Sequence, residues 1–320
     1  MKSLRWLLAL ALIGAMSAAN AQTGKWPEKP VRIIIAAPPG GGDDFVTRLI
    51  APKLAEQLGQ QFIAENRPGA GGMIGQTAVL KSPPDGYTLL LAGGSMAGAR
   101  FVNAAVTYDV LRDFTPVSHV EISPFIMVAH PSVPARNLKE YIALARSQPG
   151  KMTYATLGAG QIPYWAAIWF NNMARIKSVD VAYKSFAEAT VDVISGRVDY
   201  MFTASATYVA NKARLRAFGV TSASRATQFP DVPTIAEAGL PGYDMPGWRS
   251  IMGPAGVRRD VVAQLNAAIG RTLAMPDIRE RMLIAGSEPT PSTPEELTKK
   301  YAEWIERFGK IAKEAGIKPQ

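Results

Sequence analysis

The sequence contains no cysteine and only two histidines among its 320 residues. Without cysteine, the chain can form no disulfides, thiolate metal sites or thiol nucleophiles. His119 and His130 lack the spacing of a paired-histidine metal site, and we interpret both as structural residues. A Gly-x-Ser-x-Gly elbow is also absent. We therefore expect a protein that is not an enzyme and that holds no metal and no cofactor.

Basic residues are only moderately in excess over acidic residues. The chain has 35 Lys and Arg against 26 Asp and Glu, a formal net charge of +9. The basic residues are scattered along the sequence, so we expect no nucleic-acid partner. The excess favours anionic ligands only weakly.

Long apolar runs are rare, and the one that matters stands at the start of the sequence. Lys2 and Arg5 precede an apolar run at 6–16, and small residues follow up to Ala21. This order is typical of a secretory signal peptide. A membrane anchor is the alternative, but crossing a bilayer takes about 20 apolar residues and this run is shorter. We predict cleavage after Ala21 and export to the periplasm.

Most of the remaining sequence alternates short β-branched runs with helical patterns, which predicts an α/β fold with mainly parallel sheets. The predicted strands fall into two sets, at 31–37, 61–65 and 87–92, and then at 125–129, 152–156, 179–183, 198–202 and 215–220. Helices are predicted at 137–147 and 186–195, and three more close the chain near 257–273, 276–285 and 294–315.

This order predicts two domains, because a helical segment returns after the second set of strands. Two crossings between domains form a hinge, which we place near 121–125 and 244–249. We assign residues 22–123 plus 248–320 to domain 1 and residues 124–247 to domain 2.

Four glycine-rich turns follow predicted strands, at 38–44, 69–75, 93–98 and 156–161. Ligands bind at the carboxyl ends of parallel strands, and a helix that starts there offers unpaired N–H groups to an anion. None of the turns has the spacing of a phosphate-binding loop or of a dinucleotide fingerprint. The alternative is that the glycines serve only tight strand-to-helix turns.

Five motifs occur in a fixed order: WPEKPVR at 26–32, PGGGDD at 39–44, ENRPGAGG at 65–72, PDGYTLL at 84–90 and DVPTIAEAG at 231–239. With them the chain resembles the substrate-binding receptors of tripartite tricarboxylate transporters, the Bug receptors, from residue 26 to residue 317. The resemblance implies a hinged clamshell of two Rossmann-like domains, similar to type II periplasmic binding proteins. It also implies a monomer that delivers a small organic carboxylate to the membrane components of a transporter.

The resemblance further implies a ligand site built from turns of both domains. Domain 1 would contribute Ala37, Pro38, Gly40, Gly41, Gly42, Asp43, Asp44 and Ser95. Domain 2 would contribute Thr156, Gly158, Ala159, Gly160, Gln161, Tyr164, Tyr183, Lys184 and Thr203. We expect the carboxylate to dock on the helix start at 41–44 before domain 2 closes over it.

Three positions depart from the family's pattern. Ala37 stands where phenylalanine is frequent, Tyr164 and Trp165 replace a histidine-leucine pair, and Thr203 replaces an aspartate. Aromatic faces can stack on a planar ligand, so we hypothesise an aromatic or otherwise bulky carboxylate. The alternative is that Trp165 and Trp169, four residues apart on one helix, pack into the core.

Two other functions remain open from the sequence. One is an exported enzyme that acts on a carboxylate, with Lys184 or Asp44 as the base. The other is a signalling receptor that presents its ligand-bound form to a sensor partner. It shares the fold and differs only in what contacts the outer surface.

Overall fold

The structure is a computed structural model that describes residues 25–320. The predicted signal peptide and its cleavage site lie outside these residues. Among residues 25–320, no helix combines the length and the apolar character needed to cross a bilayer.

Two β-sheets form the centres of two lobes. The sheet of the first lobe has the order β11-β4-β10-β3-β1-β2, with β1 at Val31–Ile35, β2 at Phe62–Asn66, β3 at Thr88–Gly93, β4 at Phe114–Ser123, β10 at Gly247–Pro254 and β11 at Glu288–Pro289. The sheet of the second lobe has the order β7-β6-β8-β5-β9, with β5 at Phe125–Ala129, β6 at Met152–Thr156, β7 at Ser178–Ala182, β8 at Tyr200–Ala204 and β9 at Arg216–Val220. The α/β clamshell expected from the sequence is therefore confirmed.

Eleven α-helices surround the sheets within the described residues. They are α1 Gly42–Leu58, α2 Met73–Leu80, α3 Ala99–Val102, α4 Val110–Asp113, α5 Leu138–Ser147, α6 Ile162–Ala174, α7 Phe186–Ile194, α8 Ser205–Asn211, α9 Arg259–Ala274, α10 Pro276–Ile284 and α11 Pro294–Glu314. Short 3₁₀ turns cover Ala70–Gly72 and Gly94–Ala97. The helix ends follow local chemistry: Gly59 ends α1 in a left-handed conformation, and Thr293 with Glu296 forms a capping box at the start of α11.

The sheets are mixed, although the sequence predicted mainly parallel ones. In the first lobe β1 pairs in parallel with β2 and β3, whereas β10 is antiparallel to β3 and β4. In the second lobe β6 is parallel to β7 and β8, whereas β5 is antiparallel to β8 and β9. The antiparallel strands β4, β5 and β10 are those that carry the chain between the lobes.

The chain passes between the lobes at two places close in space. β4 ends at Ser123 and β5 begins at Phe125, so Pro124 alone separates the two sheets on the outward path. The return leads into β10 at Gly247, whose register partner on β4 is Ser123. Both passages fall at the hinge positions predicted from the sequence. The assignment of residues to two domains follows these passages and stays a proposal.

The hydrophobic core also connects the lobes. One face of the first sheet packs with α1, α9 and α10 into a cluster of its own. A second cluster runs from the other face of that sheet, through Trp304 and Phe308 of α11, to Trp165 and Phe170 of α6. The C-terminal helix therefore belongs to the first lobe and packs against the second.

Candidate functional site

A cleft between the lobes opens into two neighbouring chambers. The first chamber, of about 540 Å³, is bounded by the turn after β1, the turn after β3, and the starts of α6 and α7. The second chamber, of about 400 Å³, is bounded by the start of α1, the hinge residues at 121–125, the start of α8 and the turn after α10. Both chambers share the lining residues Gly40, Gly41, Gly42, Ser123, Phe125, Phe186 and Arg249.

Three helices begin at the first chamber, one in the first lobe and two in the second. Their N-terminal residues Gly42, Ile162 and Phe186 all line it. Among the described residues, no acceptor is found for the backbone N–H groups of these three residues, or for those of Gly41 and Asp43. Unpaired N–H groups at helix starts carry partial positive charge and bind anions. The first chamber is therefore suited to a carboxylate.

Arg249 lies at the boundary of the two chambers and joins three elements. From β10, its Nε donates to Asp43 of α1, and its Nη1 donates to Glu121 and, at 3.0 Å, to Ser123 Oγ, both of β4. Burial lowers the pKa of Arg249, but the attraction of the Asp43 and Glu121 carboxylates is larger, so the net shift is upward. The guanidinium is therefore charged and fixed in position.

The remaining nitrogen of Arg249, Nη2, has no hydrogen-bond partner within residues 25–320. It lies against the start of α1, where a Cβ added to Gly42 would be 2.6 Å from it. Glycine at this position leaves the guanidinium room beside the helix start. One donor of a fixed cation thus stands next to the unpaired amides of α1.

Asp44 stabilises the turn that precedes α1. Its Oδ2 accepts from the Gly40 amide at 3.0 Å, and its Oδ1 accepts from Arg48 Nε at 2.8 Å. The hydrogen bond from the Gly40 amide is the largest cause that lowers the pKa of Asp44, and the contacts with Asn66 and Arg48 add to it against the effect of burial. The carboxylate of Asp44 is therefore occupied within the turn.

The comparisons with known proteins agree with this geometry. The sequence model of the family described as "Tripartite tricarboxylate transporter family receptor" matches residues 46–317. The chain belongs to this receptor family. Protein BugT of Bordetella pertussis is 32% identical to the receptor over 318 residues, which are 97% of this chain and 98% of BugT.

Two solved structures resemble this receptor over most of its length. R. palustris Rpa4515 with adipate has a TM-score of 0.81 and 31% identity, and the match covers 92% of this chain and 100% of that one. MatC from Rhodopseudomonas palustris with bound malate has a TM-score of 0.77 and 29% identity, over 90% and 100% of the two chains. The family consists of periplasmic solute-binding receptors. The two-lobed fold and the family resemblance stated from the sequence are confirmed.

The cleft of the receptor contains about half of the site residues predicted from the sequence. The first chamber is lined by Ala37, Pro38, Gly40, Gly41, Gly42, Asp43, Ser95 and Gln161. Of the four glycine-rich turns, three border the chambers, whereas none of the residues at 69–75 lines either one. The direct roles of these residues in binding stay predictions.

The other predicted residues lie outside the lining of both chambers, as does Asp44. Thr156 is buried, and its Oγ1 donates to Asp180 at 2.7 Å. Tyr183 donates to Asp192, Lys184 is exposed, and Thr203 is fully buried in β8. The lining of the first chamber includes Leu157, Gln161 and Pro163 from the segment after β6. It does not include the predicted residues between and beside them, which are Gly158, Ala159, Gly160 and Tyr164.

Gly160 lies between the lobes instead. Its backbone has a φ of +93°, and a Cβ placed there would be 3.4 Å from Val102 Cγ2 of the first lobe. A bulky residue at this position would strain the turn and press on α3. Such a substitution would therefore disturb the contact between the lobes directly, whether or not Gly160 contacts a ligand.

The sequence did not reveal Arg249, Glu121, Phe125 and Phe186. All four line the cleft, and the first three belong to the strands that meet at the hinge. The available signal for Arg249 was its position, because it is a basic residue inside a predicted hinge segment. Strands that cross between two lobes lie at the bottom of the cleft between them. Phe186 gave a second signal as the first residue of a helix in the second lobe.

Trp165, one of the two aromatic residues in place of the histidine-leucine pair, lies in the core near Trp169. Trp165 is fully buried, and its ring centroid is 4.6 Å from that of Phe308. Trp169 is partly buried against the same hydrophobic cluster. Neither lines a chamber, whereas Phe45, Phe125, Phe186 and Trp248 do.

Proposed function

We propose that this receptor captures a small organic carboxylate between its lobes and delivers it to the membrane components of a tripartite tricarboxylate-type transporter. The carboxylate docks on the start of α1 and is then covered by the starts of α6 and α7. An aromatic or otherwise bulky carboxylate is included in the proposed class. Residues 1–21 act as the signal peptide, and the mature receptor works as a periplasmic monomer.

The observation that carries this proposal is the meeting of three helix starts at one chamber. Each offers amides that no described residue occupies, and they come from both lobes. A ligand favours closure only through contacts that the closed form adds, so the amides of α6 and α7 govern retention. The adipate and malate named with the two solved relatives support a carboxylate as the ligand.

The two groups considered for an enzyme are poorly placed for it. Lys184 is exposed and lies outside both chambers, and the Asp44 carboxylate is held by Gly40 and Arg48. A general base has to reach the proton that it removes. The geometry therefore favours a protein that binds its ligand and releases it chemically unchanged.

Deletion of one second-lobe amide tests the proposal. Ile162→Pro removes an unpaired N–H at the first position of α6, where proline is well tolerated, and Gln161 before it has the extended conformation that proline requires. Ile162→Val, which also shortens the side chain but keeps the N–H, is the matched control. We expect Ile162→Pro to weaken carboxylate binding by about tenfold or more relative to the control, since a hydrogen bond to a charged group is lost.

Native mass spectrometry of the fresh protein identifies any ligand that copurifies, and isothermal titration with a panel of mono- and dicarboxylates then gives affinities. Equal affinities for Ile162→Pro and Ile162→Val would show that the α6 amide does not contact the ligand. If no carboxylate copurifies and none in the panel binds, the proposed function is wrong.

A further inference from the structure

The second chamber differs in chemistry from the first, although the two are continuous. Apart from Nη2 of Arg249, which lines both chambers, its polar side chains are already paired within the protein. Ser123 accepts from Arg249, Ser205 donates to the Pro124 carbonyl at 3.4 Å, and Ser287 donates to the Met282 carbonyl at 3.3 Å. Glu121, the acidic group that lines only this chamber, is buried against Arg249.

The unpaired amides of α1 and Arg249 lie where the second chamber meets the first, and the rest of its free surface is apolar. Phe45, Pro124, Ala204 and Ala285 line it, together with Phe125 and Phe186 at its boundary with the first chamber. The two boundary rings have centroids 6.2 Å apart and planes tilted by 33°. Such rings offer a flat apolar wall that accepts an aliphatic chain or another ring.

The two lobes touch at one edge of the second chamber. A Cβ added to Gly286 of the first lobe would overlap the Cβ of Ser205 in the second. The chamber has a volume of about 400 Å³, and it continues into the first chamber at the lining residues that the two share.

Resting on the proposed function, we infer that the second chamber holds the apolar body of a monocarboxylate whose carboxylate lies in the first chamber. Arg249 donates a hydrogen bond from its free Nη2 to the carboxylate of the ligand. The aliphatic or aromatic body of the ligand lies against Phe125 and Phe186. This assigns the receptor a carboxylate with one charged end and one apolar end.

The charges that line the second chamber favour this monocarboxylate over a dicarboxylate whose second carboxylate would extend into that chamber. The ionisable side chains that line the second chamber are Arg249 and Glu121, and Arg249 is already paired with both Glu121 and Asp43. The one helix that begins there in the second lobe is α8, only seven residues long. A second carboxylate in this chamber would lose its hydration without meeting an unpaired cation.

Matched ligand pairs test the inference on the purified full receptor by isothermal titration. Hexanoate and adipate have the same chain length and differ only in the far end, as do phenylacetate and 4-carboxyphenylacetate. We expect the monocarboxylate of each pair to bind at least about tenfold more tightly, because its far end gains apolar burial and avoids desolvation of a charge.

A variant that fills only the second chamber locates the apolar body. Ala285 is exposed and lines that chamber alone, so Ala285→Leu reduces its volume, and Ala285→Ser preserves the volume as the control. We expect Ala285→Leu to weaken hexanoate binding by about tenfold relative to Ala285→Ser. Thermal unfolding without ligand checks that the variant folds.

The outcomes distinguish this inference from the function on which it rests. Adipate binding as tightly as hexanoate, or hexanoate binding unaffected by Ala285→Leu, overturns the inference and leaves a carboxylate receptor in place. Failure of all four acids to bind, with no other carboxylate bound by the protein, overturns both.

Discussion

The ring of Trp165 in α6 packs on the ring of Phe308 in α11, with centroids 4.6 Å apart. Both side chains are fully buried, and they belong to helices of different lobes. Gly98 lies beside them, where a Cβ would meet both rings at 2.9 Å. The C-terminal helix thus contributes to the cores of both lobes, and closure has to preserve or shift this contact.

Truncation of Phe308 should destabilise the whole receptor. We expect Phe308→Ala to lower the free energy of unfolding by about 3–5 kcal/mol, the usual cost of a buried phenylalanine. Urea denaturation followed by tryptophan fluorescence measures the change. Lys310→Ala, at an exposed position of the same helix, should stay within about 0.5 kcal/mol of the wild type. A cost below about 1 kcal/mol for Phe308→Ala would mean that the two helices are not packed as described.

The Trp165 contact explains why the sequence could not locate the aromatic wall of the cleft. Aromatic residues four apart on a helix have the same spacing whether they face a ligand or a second lobe. The choice depends on α11, more than 120 residues later in the chain. The starts of α1 and α6 were predictable, because each follows a glycine-rich turn after a strand and this pattern is local in the sequence.

Arg249 should be needed both for stability and for binding. Arg249→Met leaves Glu121 buried without its partner, so we expect a loss of about 3–5 kcal/mol in the free energy of unfolding. In the double variant Arg249→Met with Glu121→Gln the buried charge is gone, and most of that stability should return. Chemical denaturation measures both.

Ligand binding separates the two roles of Arg249. The double variant restores the fold without the guanidinium, so carboxylate affinity should stay at least about tenfold below the wild type. Titration with the carboxylate that binds the wild type most tightly provides the comparison. Recovery of affinity in the double variant would exclude a direct role for Arg249.

Two neighbouring glycines should respond differently to the same substitution. A Cβ on Gly42 would lie 2.6 Å from Arg249 Nη2, whereas a Cβ on Gly41 has only the Pro38 carbonyl within 4 Å, at 3.9 Å. We expect Gly42→Ala to lower the melting temperature by several degrees, because the paired guanidinium has to move, and Gly41→Ala to change it little. Differential scanning calorimetry compares the two. Equal melting temperatures would indicate that Arg249 moves aside freely.

Strands β4 and β10 were not predicted as strands, and their buried polar residues explain why. They contain Ser118, His119, Glu121 and Ser250, all at most 2% exposed, which disguise the apolar pattern of a central strand. The partners that satisfy these groups lie far away in sequence, such as Ser292 and Thr290 for Ser118 and His119. By contrast, β5 and β6 are apolar enough to be predicted with their observed bounds.

His119 should make the stability of the receptor depend on pH. Its imidazole is 2% exposed, Nδ1 lies 2.7 Å from the Thr290 carbonyl, and Nε2 has no partner among the described residues. Burial, with the positive charge of Lys300 as a smaller cause, lowers the pKa of His119 to about 3 against the opposing effect of the Thr290 carbonyl. The imidazole is therefore neutral in the folded state, while in the unfolded chain it takes up a proton below a pKa of about 6.5.

Because the unfolded state binds the extra proton between these two pKa values, stability falls as the pH drops below about 6.5 and continues to fall toward 3. One proton corresponds to a slope of about 1.4 kcal/mol per pH unit, which we expect His119 to contribute between pH 5 and 6. His119→Asn, whose amide can still donate to Thr290, should reduce the slope by about that amount even if the variant is less stable at every pH. His130→Asn is the control, since His130 is partly exposed and its imidazole is hydrogen-bonded to the neighbouring Ser132. Urea denaturation at several pH values in this range measures how the free energy of unfolding changes with pH. The same slope in wild type and His119→Asn would show that the buried imidazole accepts a proton in the folded receptor.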